Sequence, residues 1–188
     1  LMSQIEGQVK RQLPGNLASQ VDVVAEGGTV TLRVRADDVL FARGSAALNS
    51  NARITLNTLA KILRPLNYEI RIEGHTCNLP ICSARFPTNW DLSASRAIAV
   101  LLYLVREKQF SPTNLSAVGY AETKPIVPNN SAANRSRNRR IDIVLVRPNG
   151  DSGIDLPENV QVTLKPDINP AHVDVTAHDF NPVAISHP

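Results

Sequence analysis

The chain contains 188 residues, of which 43% are hydrophobic and 20% are charged, and this composition excludes a wholly disordered protein. The net charge of +3 is uneven, because residues 149–188 carry six acidic residues and one lysine, which leaves +8 on residues 1–148. A basic body favours a polyanionic or carboxylate-bearing partner. No segment approaches the roughly 18 consecutive apolar residues that a membrane-spanning helix needs. Because Leu1 precedes Met2 and no signal peptide is visible, we expect a fragment whose targeting segment lies upstream.

The first part of the chain predicts a short helix, a β-hairpin and a longer helix. Apolar residues four apart in residues 1–20 indicate a short helix or linker that ends at Pro14-Gly15. Residues 21–25 and 30–35 flank Gly27-Gly28, a typical hairpin signal. Asn49 or Ser50 can cap the next helix, which Pro65 closes. Its apolar stripe consists of Ala52, Leu56, Leu59, Leu63 and Leu66.

The second part predicts a strand, a helix and two further strands. Residues 68–73 alternate as a strand, residues 75–90 form a long loop, and Ser93 can cap a deeply packed helix. A short strand at 115–119, a polar loop at 122–137 and a strong strand at 141–146 complete the domain. We therefore predict an α+β sandwich of βαβαββ order, with helices packed on one face of a mixed sheet. The domain spans 21–148, after an N-terminal helix or linker at 1–20.

The proline-rich tail, 149–188, shows weak periodicity, and we expect at most short edge strands at 160–164 and 172–176. Its three histidines are expected to be solvated rather than metal ligands; they are His172, His178 and His187. The two cysteines lack the further Cys and His residues of a zinc site. The sequence thus predicts neither a metal nor a cofactor.

Three polar motifs lie at element ends, where binding groups usually occur. They are Gly74-His75-Thr76-Cys77, the segment 89–97 and the basic segment 134–140. We expect Arg96 in the first turn of its helix, where a guanidinium can bind a carboxylate through two hydrogen bonds; the alternative is an exposed arginine without a ligand. The basic segment is either a second anion site, with Asn138 and Arg139 held by the adjoining strand, or a solvated loop.

Two other classes of function find little support. A thiol enzyme would use Cys77 as nucleophile and His75 as base, but no third catalytic group is evident, so we predict no enzyme and no catalytic residue. A nucleic-acid-binding protein would need stacking platforms, whereas aromatic residues make up only 4% of the chain.

Taken in order, the motifs of residues 30–147 resemble the OmpA-like domain. The matching residues are Gly74-His75-Thr76, Leu92-Ser93, Arg96-Ala97, Val100, Gly119-Tyr120, Pro125, Asn129 and Asn138-Arg139-Arg140. Two further segments, 40–46 and 84–93, resemble MotB, the B subunit of the flagellar stator.

The resemblance implies a periplasmic domain of an inner-membrane protein that binds peptidoglycan non-covalently, through the stem peptide and nearby glycan. It also implies a homodimer that anchors an ion channel formed with a MotA-like subunit. The alternative within the same fold is a general cell-wall anchor of an outer-membrane or secretion-system protein.

The resemblance also implies the site residues. Arg96 takes the position that binds the ligand's α-carboxylate, Asn138 and Arg139 form a second grip, and Thr76 and Asn89 line the pocket. Cys77 departs from the family pattern, in which an aspartate pairs with the ligand's ammonium group. Either another wall group is bound, or binding is weak and depends on avidity, or Cys77 and Cys82 form a disulfide; we favour the disulfide.

Overall fold

The structure is a computed structural model that describes residues 2–37, 39–66 and 68–146. The tail at 149–188, with its three histidines and the edge strands predicted at 160–164 and 172–176, lies outside the described residues.

Five helices and five strands make up the described part of the chain. In chain order they are α1 (Met2–Gln12), α2 (Gly15–Ala18), β1 (Val21–Glu26), β2 (Thr29–Arg35), α3 (Ser50–Leu63), β3 (Glu69–His75), α4 (Asn89–Lys108), β4 (Leu115–Gly119), α5 (Ala132–Asn138) and β5 (Arg140–Val146). The predicted strands lie close to the observed ones, whereas α2 and α5 were not predicted. Single 3-10 turns follow α3 and precede β4.

The strands form one mixed sheet in the order β1-β2-β5-β3-β4. Neighbouring strands are antiparallel except for β3 and β4, which are parallel. The predicted α+β architecture is confirmed. Gly27 and Gly28 join β1 to β2 with φ angles of +58° and +79°, which is the backbone that a two-residue hairpin turn with the twist of the strands requires.

The apolar core lies between the sheet and the helices. Every second residue of β2 is fully buried, and α3 and α4 turn their apolar stripes toward the same side. Asn49 caps α3, because its Oδ1 accepts a hydrogen bond of 2.8 Å from Ala52 N. Two glycines, Gly74 in β3 and Gly119 in β4, lie against the backbone of α4 at Ser93 and Ala94. The helix therefore rests directly on the strands with no side chain between them.

The start of one helix differs from the prediction. The helix α4 begins at Asn89 rather than near Ser93, because Thr88 Oγ1 accepts from Asp91 N while the Asp91 carboxylate accepts from Thr88 N. Arg96 is consequently the eighth residue of α4, two turns beyond the helix start, and its predicted place in the first turn is wrong.

The loop predicted at 122–137 is also partly wrong, since it contains α5. Ser131 caps this helix by accepting from Asn134 N at 3.1 Å. The helix has no apolar stripe in the sequence because its residues are polar apart from two alanines, so periodicity could not reveal it.

The opposite face of the sheet carries buried charges. Arg140 Nε donates to both carboxylate oxygens of Asp142 at 3.1 and 3.0 Å, and Arg71 Nε donates to Glu73 at 2.6 Å. His75 Nε2 lies 3.6 Å from the carboxylate of Glu73 and 3.5 Å from that of Asp142. Burial raises the pKa of Asp142. Burial would also raise the pKa of Glu73, but hydrogen bonds with His75 and Arg71 outweigh it and hold that pKa below its ordinary value.

The close approach of α4 to β3 predicts a large effect of Gly74→Ala. A methyl group at position 74 would collide with the backbone oxygen of Ser93, and neither backbone can move without disturbing the core. We expect a loss of about 3 kcal/mol in the free energy of unfolding, measured by urea denaturation. Gly15→Ala is the matched control, because nothing lies within 4 Å of the added methyl group. Equal stabilities of the two variants would contradict the packing described.

The lowered pKa of Glu73 predicts a pH-dependent effect of Glu73→Gln. A carboxyl whose folded pKa is depressed stabilises the protein above its unfolded pKa, and this contribution disappears as pH falls through the folded value. We expect the variant to be less stable than the wild type by about 1–3 kcal/mol at pH 7, with the difference vanishing as pH falls below 4.5.

Denaturation of both proteins across this pH range is the measurement. The raised pKa of Asp142 changes the free energy of unfolding with pH in the opposite direction. Both proteins contain Asp142, so this effect largely cancels in their difference. Glu69→Gln, an exposed position on the same strand, serves as control. A difference that persists unchanged at pH 3 would contradict the ionic role of Glu73.

Candidate functional site

The carboxylate of Asp37 lies at the centre of the candidate site. It follows β2 and is almost completely buried. Its Oδ1 accepts a hydrogen bond from Arg96 Nη2 at 3.1 Å, and its Oδ2 accepts one from Arg139 Nε at 2.5 Å. One acid therefore holds two guanidinium groups that come from α4 and from the residue preceding β5, and such charge-assisted bonds are the strong ones in proteins.

The side chain of Arg96 is enclosed rather than open. It is 1% exposed, donates to the backbone oxygens of Ser45 at 2.8 Å and Ala42 at 3.3 Å, and lies 5.0 Å from the ring centroid of Phe41. Burial lowers the pKa of Arg96, and Asp37 partly restores it. The prediction that Arg96 is open to a ligand at the start of the helix is thus corrected, because the internal acid Asp37 pairs with one side of its guanidinium group. Its Nη1 is nevertheless buried without a hydrogen-bond partner among the described residues.

Arg139 forms the accessible edge of the site, with a side chain that is 19% exposed. Its Nη1 donates to Cys77 Sγ at 3.4 Å. Burial would lower the pKa of Arg139, but the bond to Cys77 and the charge of Asp37 outweigh that effect and raise it. Arg139 therefore stays a cation that a ligand can approach from solvent.

The two cysteines are free thiols in the structure, so the disulfide that we favoured is not formed. Cys77 is buried and faces Arg139, whereas Cys82 lies exposed farther along the same loop. The base expected for a thiol enzyme is also turned elsewhere, because His75 lies beside Glu73 and stacks on Tyr120. Cys77 and His75 therefore do not form the thiol–imidazole pair that such chemistry needs.

Thr76 follows β3 at the start of the loop that bears Cys77, and Asn89 is the first residue of α4 at the end of that loop. Thr76 Oγ1 is buried and has no hydrogen-bond partner among the described residues. The side-chain amide of Asn89 donates to the backbone oxygens of Cys77 at 3.3 Å and Leu79 at 3.1 Å, and to the carboxylate of Glu122 at 3.1 Å. Thr76 thus offers an unused polar group, while Asn89 fixes the shape of the loop that bears Cys77.

Asn138 does not form the second grip that the resemblance implied. Its side chain is fully buried, accepts from Ile126 N and Val127 N, and donates to Val127 O and the side chain of Asn129. All its hydrogen-bonding capacity in the structure is spent on the preceding loop. Asn138 therefore holds the preceding loop and positions its neighbour Arg139. The prediction that it contacts the ligand is corrected accordingly.

Asp37 is not among the site residues predicted from the sequence. The available signal was a pair of acids directly after an alternating strand, at 37–38. Acids at the end of a strand are common in solvated loops, so this signal alone did not separate a buried counter-ion from a surface residue.

One group of three buried side chains within the described ranges has the spacing of a metal site. Ligand atoms of Glu73, His75 and Asp142 all lie within 4.8 Å of one another. Arg71 and Arg140 already pair with the two carboxylates, so a divalent ion would add charge beside two buried cations. We assign no metal to this group. Separately, no helix among the described residues combines the length and apolar character needed to cross a membrane.

Comparison with known proteins gives a consistent result. The OmpA family matches residues 40–139. Motility protein B of Bacillus subtilis is 34% identical over 152 residues, which cover 79% of this chain and 55% of that protein. The chain spans about half the length of the curated relatives it matches.

Solved structures show the same fold. The crystal structure of a MotB-like protein from Desulfovibrio vulgaris has a TM-score of 0.72 at 34% identity, covering 78% of this chain and 94% of that one. The cell wall anchor of the T6SS from Pseudomonas aeruginosa has a TM-score of 0.66 at 28% identity, covering 79% and 98%. With its fold, its ordered motifs and the match over residues 40–139, this chain belongs to the OmpA family.

Proposed function

We propose that the chain binds peptidoglycan non-covalently and anchors a membrane complex, the flagellar motor stator, to the cell wall. The observation that carries the proposal is the pair of guanidinium groups at Asp37, of which Arg139 is accessible and Arg96 is buried with one nitrogen that has no hydrogen-bond partner among the described residues. The relatives named motility protein B support the stator assignment, and the net charge of the body suits an acidic polymer.

The ligand chemistry follows from the groups that remain available. Stem peptides present carboxylates, and a guanidinium binds a carboxylate with charge and geometry together. Arg139 supplies a cation at the accessible edge, Arg96 supplies a buried unused donor, and Thr76 supplies an unused hydroxyl. Leu79 and Trp90, 55% and 52% exposed, flank Asn89 and add an apolar surface against which a glycan can pack.

The proposed assembly is a homodimer located in the periplasm, which in the full-length protein partners a MotA-like channel subunit. The structures of periplasmic MotB domains support this location. A second candidate, a general wall anchor, finds support in the T6SS anchor of Pseudomonas aeruginosa. Both candidates use the same non-catalytic wall binding, and we propose no enzymatic step for either.

Co-sedimentation with purified sacculi tests the site through Arg139→Gln. This change removes the accessible cation without deleting the buried Arg96, whose loss would break the buried ion pair at Asp37 Oδ1 at a cost of about 3–5 kcal/mol. We expect retention on sacculi to fall about tenfold, since a charge-assisted hydrogen bond contributes about 1.5–3 kcal/mol.

Arg137→Gln is the matched control, because it makes the same charge change at an exposed position two residues away. Thermal melting of each variant verifies folding. Arg139→Lys keeps the positive charge and is used if Arg139→Gln is unstable. The retention of Arg139→Lys on sacculi should lie between those of the wild type and Arg139→Gln. Equal retention of the 137 and 139 variants would remove Arg139 from the site.

A further inference from the structure

The polar lining of the site contains more basic than acidic groups, and this imbalance restricts the charge that a ligand can carry. The inference rests on the proposed function. Two guanidinium groups, Arg96 and Arg139, face a single carboxylate, Asp37. The remaining side chain in contact with Arg139 is a thiol, Cys77, which is a weak hydrogen-bond acceptor. The formal balance of the site is two bases to one acid.

The acceptors of the site are already occupied. Each oxygen of Asp37 accepts from a different arginine, and the backbone oxygens of Ser45 and Ala42 both accept from Arg96. Two buried side-chain atoms of the site have no hydrogen-bond partner among the described residues: the donor Arg96 Nη1 and the hydroxyl of Thr76, which is neutral and can donate or accept. A ligand that brings an acceptor therefore completes the site, whereas a ligand that brings an additional donor finds no carboxylate to receive it.

A second acid beside the loop of Cys77, Glu122, does not alter this balance. Its carboxylate accepts from the Asn89 amide, which in turn binds the backbone oxygen of Cys77. The thiol of Cys77 points instead to Arg139. Among charged side chains, Asp37 is the acid that acts on both arginines, and Glu122 is not among the groups that shift the pKa of either.

We propose that the site selects a carboxylate whose neighbouring nitrogen is acylated, as at the C-terminus of a peptide, over the zwitterionic end of a free amino acid. An ammonium group next to the bound carboxylate would be held close to two guanidinium groups, and like charges in a buried site repel strongly. An acylated nitrogen is neutral and avoids this repulsion. Cys77 is the specificity-determining residue, because its thiol is a hydrogen-bond partner of Arg139 and supplies no carboxylate that could balance the ammonium.

Two matched probes test the selectivity of the wild-type protein. N-acetyl-D-alanine and D-alanine carry the same carboxylate and differ in the charge on nitrogen. Titration of the ¹⁵N-labelled protein, followed by chemical-shift changes of Arg96, Arg139 and Thr76, gives the two dissociation constants. We expect N-acetyl-D-alanine to bind at least about fivefold more tightly. Equal binding, tighter binding of D-alanine, or binding of neither probe would overturn the proposal.

Variants at the two cysteines test the residue assigned. Cys77→Asp should erase or reverse the preference by raising the affinity for D-alanine. Cys82→Asp makes the same change at the exposed cysteine and should leave the preference intact, as should Cys77→Ser and Glu122→Gln. If Cys77→Asp is too unstable to titrate, Cys77→Asn supplies an acceptor without charge and should raise D-alanine affinity less than twofold. An unchanged preference in Cys77→Asp, or a change as large in Cys82→Asp, would overturn the role of Cys77.

Sedimentation with sacculi separates this inference from the function on which it rests. Loss of wild-type retention would contradict wall binding itself, whichever probe binds more tightly. Retention together with a preference for D-alanine would contradict only the selectivity.

Discussion

The ion pairs of Asp37 with Arg96 and Arg139 connect three parts of the chain that are far apart in sequence. Asp37 follows β2, Arg96 lies in α4 and Arg139 precedes β5, so the two arginines stand 59 and 102 positions from Asp37 in the sequence. Burying the charges of Asp37 and Arg96 is costly unless each is paired and hydrogen-bonded. The backbone oxygens that accept from Arg96 help to meet that condition. Because all three groups are needed, the pairing also sets the register of the segments that carry them.

The buried guanidinium can occupy this position only because α4 lies unusually close to the sheet. Glycine at 74 and 119 lets the backbone of the helix rest on β3 and β4. Ser93, on the same face of α4, donates to Trp90 O and accepts from Ala121 N at 3.0 Å. The helix is thereby fixed at the end where the loops of the site converge. A positioned scaffold of this kind reduces the entropy that a ligand must offset when it binds.

Periodicity and turn chemistry predicted most of the fold, because β2, α3 and β5 have strong patterns and Gly27-Gly28 specifies its turn. Local patterns could not predict α5, which has no apolar stripe, or the start of α4, which depends on side-chain bonds between Thr88 and Asp91. The candidate site was predictable only in part. The ordered motifs identified Arg96 and Arg139, but a counter-ion 59 residues from Arg96 leaves no local trace. The inward orientation of Asn138 likewise depends on the loop that it holds.

The pairing of both arginines with Asp37 affects how tightly the proposed wall anchor would bind its ligand. Under the proposed function, a ligand carboxylate would meet one guanidinium that is already fixed and another, Arg139, at the solvent edge, so that binding would require little side-chain ordering. Asp37 limits the gain, because it competes with the ligand for both cations. A single site is therefore expected to bind its ligand with moderate affinity and to release it readily. Two sites joined in the proposed homodimer would raise the strength of attachment through effective concentration rather than through tighter contacts, which suits attachment to a polymer with many repeated groups.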